Sequence, residues 1–403
     1  MAFEKPVPSL GMLPLELIEM INQHMDVIDQ LCMALCNRWL FACNPQVLYW
    51  IWGQFYRVER SVHDLRLEDE ENKDYNEQII KEFLTRLDVT DPRWFLCKGC
   101  ERLHRVQDAE APHPFSEKPI CSKATESWRM PFMLNGQSLP LSSYPTYAAH
   151  KIFFVHVQLA MREFRLGPGC GISLEALSYK EAGIFPAGSH PAFSHRYEPN
   201  MESANLDKEM SKTIFSVDAR ASTEAPSPSL ILRVQELCLV REDCAHTLLP
   251  QAVNMVRICW HMNSQVSNIN AMVCSLFGNY WSGKDGNMGW EGRCPECNTS
   301  WHIQVRAVDH FGGVCLVITR WIDLGFGNDP EDPHWRALVE PRFQLAPLEL
   351  AQDPRKRFEG LPDTKTSPSE EDQFFKNLDL LVGLKFLAVM SRLDMSRWYQ
   401  TFV

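Results

Sequence analysis

The 403-residue sequence has no uninterrupted apolar run long enough to cross a bilayer. Its longest such stretch, residues 378–390, is too short and is broken by Asp379 and Lys385. Basic charge is also scarce: 40 Lys and Arg stand against 51 Asp and Glu, a formal net charge of −11. That balance disfavours non-specific binding to nucleic acid or an anionic membrane, because both need a basic excess. Residues 1–8 lack the apolar core of a secretory signal. The expected compartment is therefore cytoplasm or nucleus, with the fourteen cysteines as thiols or metal ligands rather than disulfides. No internal repeat is visible, which argues against propellers, leucine-rich horseshoes and ankyrin stacks. Catalytic signatures are missing too. There is no phosphate loop, no Gly-x-Ser-x-Gly and no His-Glu-x-x-His, and Gly167-Pro168-Gly169-Cys170-Gly171 reads as a helix stop. We expect a non-catalytic protein.

What is present is an ordinary globular composition, 45% hydrophobic and 23% charged, in a chain long enough for two or three domains. The expected fold class is α+β: a three-helix N-terminal region followed by mixed helices and antiparallel strands. Helical stripes occupy residues 10–55, and a charged helical connector follows over 56–90. Residues 91–197 form a Cys/His-rich and helical segment, with a helix expected over 153–165 and ended by Gly167 and Pro168. Residues 198–229 are rich in Ser, Glu, Ala and Pro and read as a linker or loop. Residues 230–350 are strand-rich, with strands expected over 230–240, 254–262, 301–308 and 314–322. Residues 351–403 read as a linker and an amphipathic helix starting near Asp372.

The N-terminal pattern is specific. Pro14 suits a first helical turn, where its missing N–H costs nothing, and Glu16 suits the positive helix end. Leu17, Ile18 and Ile21 follow at helical spacing. Asp29 is placed to cap a second helix carrying Leu31, Leu35 and Trp39, and Val47, Leu48 and Trp50 open a third. Leu13-Pro14-x-Glu16-Leu17-Ile18-x-x-Ile21, then Asp29-x-Leu31 through Leu35 to Arg38-Trp39, and finally Leu48-Tyr49-Trp50, resembles the F-box consensus. The resemblance implies three helices that dock onto the adaptor subunit of the SCF complex and, through it, onto cullin. By position, the implied contacts are Leu13, Pro14, Leu17, Ile18, Ile21, Leu31, Leu35 and Trp39.

Two Cys-x-x-Cys pairs could each supply half of a tetrahedral metal site, because a tight turn presents both sulfurs on one side. The first offers Cys97 and Cys100, with Cys121 and either His104 or His113. The second offers Cys294 and Cys297, with Cys259 and either His261 or Cys274. Structural zinc, unliganded cysteine and a redox dithiol are the competing readings. The last is disfavoured by the lack of a thioredoxin-like βαβ unit around either pair.

The run Cys97 to His104, the later Cys-x-x-Cys, and Trp321-Ile322-Asp323-Leu324-Gly325 with Asp332 and Trp335 resemble a group of F-box proteins from filamentous fungi. That resemblance implies a substrate-recruiting adaptor of an SCF ubiquitin ligase, with residues after about 90 holding an unnamed client protein. A zinc-supported interaction module acting outside ubiquitination is the alternative.

Overall fold

The computed structural model describes residues 13–36, 78, 81–89, 91–98, 102–109, 132–133, 151–186, 210–222, 228–242, 258–259, 261–262, 266–282, 287–309, 312–340, 345, 353–360 and 369–383. The chain divides into two compact units, Met1–Asp108 and Ala109–Val403.

In the first unit, the helix Leu15–Gln23 starts directly after Pro14, whose carbonyl accepts from the Leu17 and Ile18 amides. The helix Val27–Cys36 begins two residues before the position expected to cap it. Asp26, not Asp29, is the cap: its Oδ1 accepts from the Asp29 N–H at 2.7 Å, the geometry of an N-cap carboxylate reaching the third helical amide. The Asp29 side chain instead meets Arg86, which also holds Glu82 at 2.9 Å. Arg86 and Phe83 belong to the helix at 81–89, and Phe83 packs on Ile28, Leu31 and Ala34. An antiparallel hairpin follows, β1 (Trp94–Cys97) and β2 (Arg102–Arg105). It lies at the start of the segment read as Cys/His-rich and helical, for which no strand was expected. The expected third helix, over 47–50, lies outside the described residues.

The second unit is built on a six-stranded antiparallel sheet. Its strands are β5 (Tyr179–Pro186), β6 (Met210–Ser222), β7 (Ser229–Arg241), β8 (Asn287–Arg293), β9 (Thr299–Val308) and β10 (Gly313–Asp323). Their order is β5-β6-β7-β10-β9-β8, so two three-stranded meanders join through β7 and β10. A separate two-stranded pairing joins β3 (Phe132–Met133) to β4 (Lys151–Ile152). β10 is buried at every position, and β7 nearly so, in keeping with the apolar residues that predominate in both, although Arg233, Gln235, Thr319, Arg320 and Asp323 are buried among them.

Two expectations are corrected here. β6 falls inside residues 198–229, read as a linker, and pairs on both sides with β5 and β7. The described residues of the expected strand at 254–262 (Ile258, Cys259, His261 and Met262) pair with no strand. The helix Phe154–Leu166 matches its expected span to within one residue at each end, and Phe154 through Arg162 are all buried.

One sheet face explains why β6 looked polar. The register aligns Cys315, Val317, Thr319, Trp321 and Asp323 of β10 with Leu239, Leu237, Gln235, Arg233 and Ile231 of β7. The helices Pro354–Gly360 and Glu370–Gly383 cover this face. Phe374, Leu378 and Leu381 pack on Ile214, Leu237, Leu239, Cys315 and Val317. Beside that apolar patch the contacts are polar. Asn377 Nδ2 donates to Ser216 Oγ at 2.8 Å and to Gln235 Oε1 at 2.9 Å, and Gln373 donates to Asn377 Oδ1 at 2.9 Å. Satisfied buried amides of this kind fix which helix face meets the sheet.

Candidate metal centre

The Cys294–Cys297 turn sits between β8 and β9. The Cys294 N–H donates to Thr299 O at 2.9 Å, and the Thr299 N–H to Cys297 O at 2.8 Å, so the turn closes as an extension of the hairpin. This folds both thiols to the same side. The Glu296 N–H points at Cys294 Sγ at 3.4 Å, and Cys297 Sγ lies 3.3 Å from Thr299 Oγ1. Cys259 and His261 complete the group: the four ligand atoms all lie within 4.8 Å of one another. Cys294, Cys297 and His261 are buried, and Cys259 is half-buried. A tetrahedral ion with metal–sulfur bonds near 2.3 Å needs donor separations of about 3.7 Å, within small side-chain adjustments of this arrangement. The residues fit a metal ion.

The thiols carry the signature of a pocket that wants a cation. Hydrogen bonds from Cys259 and Cys297 draw the Cys294 thiol far below the ordinary range despite its burial, and His261 and the Glu296 N–H add to this. The neighbours pay in the opposite direction. Crowding by Cys294 pushes Cys259 up to about 12, and Cys259 and Cys294 together hold Cys297 well above its ordinary value. One thiolate is comfortable here and three are not, so ionising all three requires positive charge at their centre.

The alternative donor, Cys274, is exposed on the helix Val266–Trp281 and is not in the group, so His261 takes the fourth place. Of the first expected set, Cys97 ends β1 and is buried. His104, half-buried in β2, has its imidazole pushed below the ordinary value chiefly by burial. Cys97 pairs with Arg102 and His104 with Phe95, which puts both on one face of the hairpin. Cys100, Cys121 and His113 lie outside the described residues. Cys97 thus ends a hairpin strand, and Cys294 directly follows one.

The expected docking residues separate by exposure. Ile18 and Leu31 are each 1% exposed and pack inside the first unit. Leu13 and Ile21 are half-buried, and Pro14 is exposed. Leu17 is 43% exposed, and Met20, not singled out from the sequence, is 56% exposed. The Leu35 side chain and Trp39 lie outside the described residues.

Sequence reasoning missed the scaffold behind the centre. Asn298 Nδ2 donates to Asp323 Oδ2 at 3.0 Å, and the Asp323 N–H donates to Asn298 O at 3.1 Å. Burial pushes the Asp323 carboxyl up, but His334, Arg357 and the Gly325 N–H outweigh it and leave it below the usual carboxylate range. Asp323 was visible only as part of the Trp-x-Asp-Leu-Gly run; nothing in the sequence ties it to Asn298. No family model, curated protein or solved structure matches this chain.

Proposed function

We propose that the chain is a non-catalytic, substrate-recruiting adaptor of an SCF ubiquitin ligase, whose N-terminal helices dock the SCF adaptor subunit. The second unit would hold the client protein, and its Cys259, His261, Cys294 and Cys297 would hold a structural zinc ion. The observation that carries the adaptor reading is the division of the helix Leu15–Gln23. Ile18 is committed to the unit's own core with Met33, Leu13 and Met25, while Leu17 and Met20 offer apolar surface outward. This arrangement suits a partner, because the helix is anchored without spending that surface.

Three thiolates and an imidazole are soft donors suited to zinc. Four protein ligands leave no open position for a substrate or an activated water, so the ion would stabilise rather than catalyse. The ligase would then supply the chemistry, and this chain proximity and orientation of a client lysine.

The test is ubiquitin transfer to proteins co-purifying with the full chain in a reconstituted SCF assembly. Transfer that requires the wild-type chain and is lost with Leu17→Asp, Met20→Asp supports the reading. Co-purification of clients without transfer favours an interaction module outside ubiquitination.

A further inference from the structure

We infer that metal occupancy and the seating of the helix Pro354–Gly360 on the sheet are linked, with Asp323 as the positioning residue between them. The inference rests on the reading of Cys259, His261, Cys294 and Cys297 as metal ligands. Its starting point is that Asn298 follows Cys297 directly and is itself buried. Its amide is held at both ends: Arg293 Nη2 donates to Asn298 Oδ1 at 3.0 Å, and Asn298 Nδ2 donates to Asp323. Asp323 is fully buried, and its Oδ2 also accepts from Arg357 Nη1 at 2.8 Å. Arg357 lies on the helix Pro354–Gly360 and donates as well to Ser229 Oγ at 2.5 Å, at the start of β7.

A second route runs in parallel. Ser300, one residue past Thr299, donates to Asp353 Oδ1 at 2.6 Å. The same oxygen accepts from the Arg355 N–H at 3.0 Å, so Asp353 caps the helix. The turn that carries two ligands, together with the start of β9 that follows it, is therefore tied to both the cap and the middle of one helix. Neither tie touches a ligand atom, so both act by fixing the turn's backbone. Ligand-supporting contacts of this kind typically alter metal affinity about 10- to 100-fold. Linkage is reciprocal: if the seated helix favours the metal-bound turn, the bound metal favours the seated helix by the same factor.

The experiment uses the full zinc-loaded chain and the same chain stripped by a chelator, followed by hydrogen exchange. Stripping is expected to speed exchange at least about 10-fold in Pro354–Gly360 while the helix Phe154–Leu166 holds its protection. Arg357→Met and Asn298→Ala should each weaken zinc binding about 10- to 100-fold in competition with a chromogenic chelator. Using both guards against a fault peculiar to one variant. If exchange in Pro354–Gly360 ignores zinc, or rises equally in Phe154–Leu166, the linkage is overturned. Unchanged zinc affinity in both variants also overturns it. A wild-type chain that binds no zinc removes the metal reading itself, a result distinguishable from either.

Discussion

His302 Nδ1 lies 2.8 Å from Glu370 Oε1, joining β9 to the first turn of the helix Glu370–Gly383. The other carboxylate oxygen of Glu370 accepts from Arg355 Nη2 at 2.9 Å, and Arg355 also meets Glu291 on β8. The Glu370 carboxylate thus ties two helices to β9, and Arg355 carries the tie on to β8. Burial pushes the Glu370 carboxyl up, but the hydrogen bond and charge of His302, aided by Arg355 and Thr319, leave it below the ordinary 4.5. A depressed folded value means the charged form stabilises the fold. The contribution is complete above the unfolded value and fades as pH falls through the lower folded one. Thermal midpoints measured downward from pH 5 should drop in the wild type, and Glu370→Gln should flatten part of that acid limb. Parallel acid limbs would show that the contact contributes nothing.

Phe358 is the apolar anchor of the neighbouring helix. It is buried against Ile231 and Trp321, and the guanidinium groups of Arg220 and Arg233 lie 4.6 and 5.0 Å from its ring centre. Truncation of a buried aromatic to alanine costs about 3–5 kcal/mol. Phe358→Ala should lose about that much stability in denaturant unfolding, with Arg220 and Arg233 left without their ring. A loss under about 1 kcal/mol would mean the site collapses around the gap.

The metal assignment separates cysteines by position. Cys297→Ser should remove the metal of this centre and lower the thermal midpoint, whereas Cys274→Ser should change neither. Elemental analysis of purified protein checks the first point and calorimetry the second. Retention of metal by Cys297→Ser together with loss in Cys274→Ser would contradict the ligand set.

The two apolar positions next to each other on the first helix should behave oppositely. Ile18→Asp buries a charge without a partner and should unfold the helical unit, at a cost of several kcal/mol. Leu17→Asp places its charge at an exposed site and should leave far-UV circular dichroism unchanged. Equal loss of helix in both would show that Leu17 also belongs to the core.

Legibility in the sequence followed apolar patterning. β7 and β10 were visible because apolar side chains predominate in both, and β9 because its buried Trp301, Ile303 and Val305 alternate with polar residues. β6 was not, because it is rich in polar residues, and Ser216 and Arg220 find partners on distant segments. Asn377 meets Ser216 across 161 residues, and Phe358 O meets Arg220 across 138. The metal centre was half legible. Cys-x-x-Cys spacing is local and gave Cys294 and Cys297, but the choice between His261 and Cys274 depended on which one the fold brings back. Asp323 is the same case at greater distance: its role exists only once Asn298 and Arg357 converge on it.

The most direct test of the adaptor reading is isothermal titration of the purified full-length chain with the purified SCF adaptor subunit. The expected result is one-to-one binding that disappears in Leu17→Asp, Met20→Asp while that variant keeps wild-type circular dichroism and metal content. A wild-type chain that is folded and metal-loaded yet gives no binding heat and no co-migration in gel filtration would contradict it.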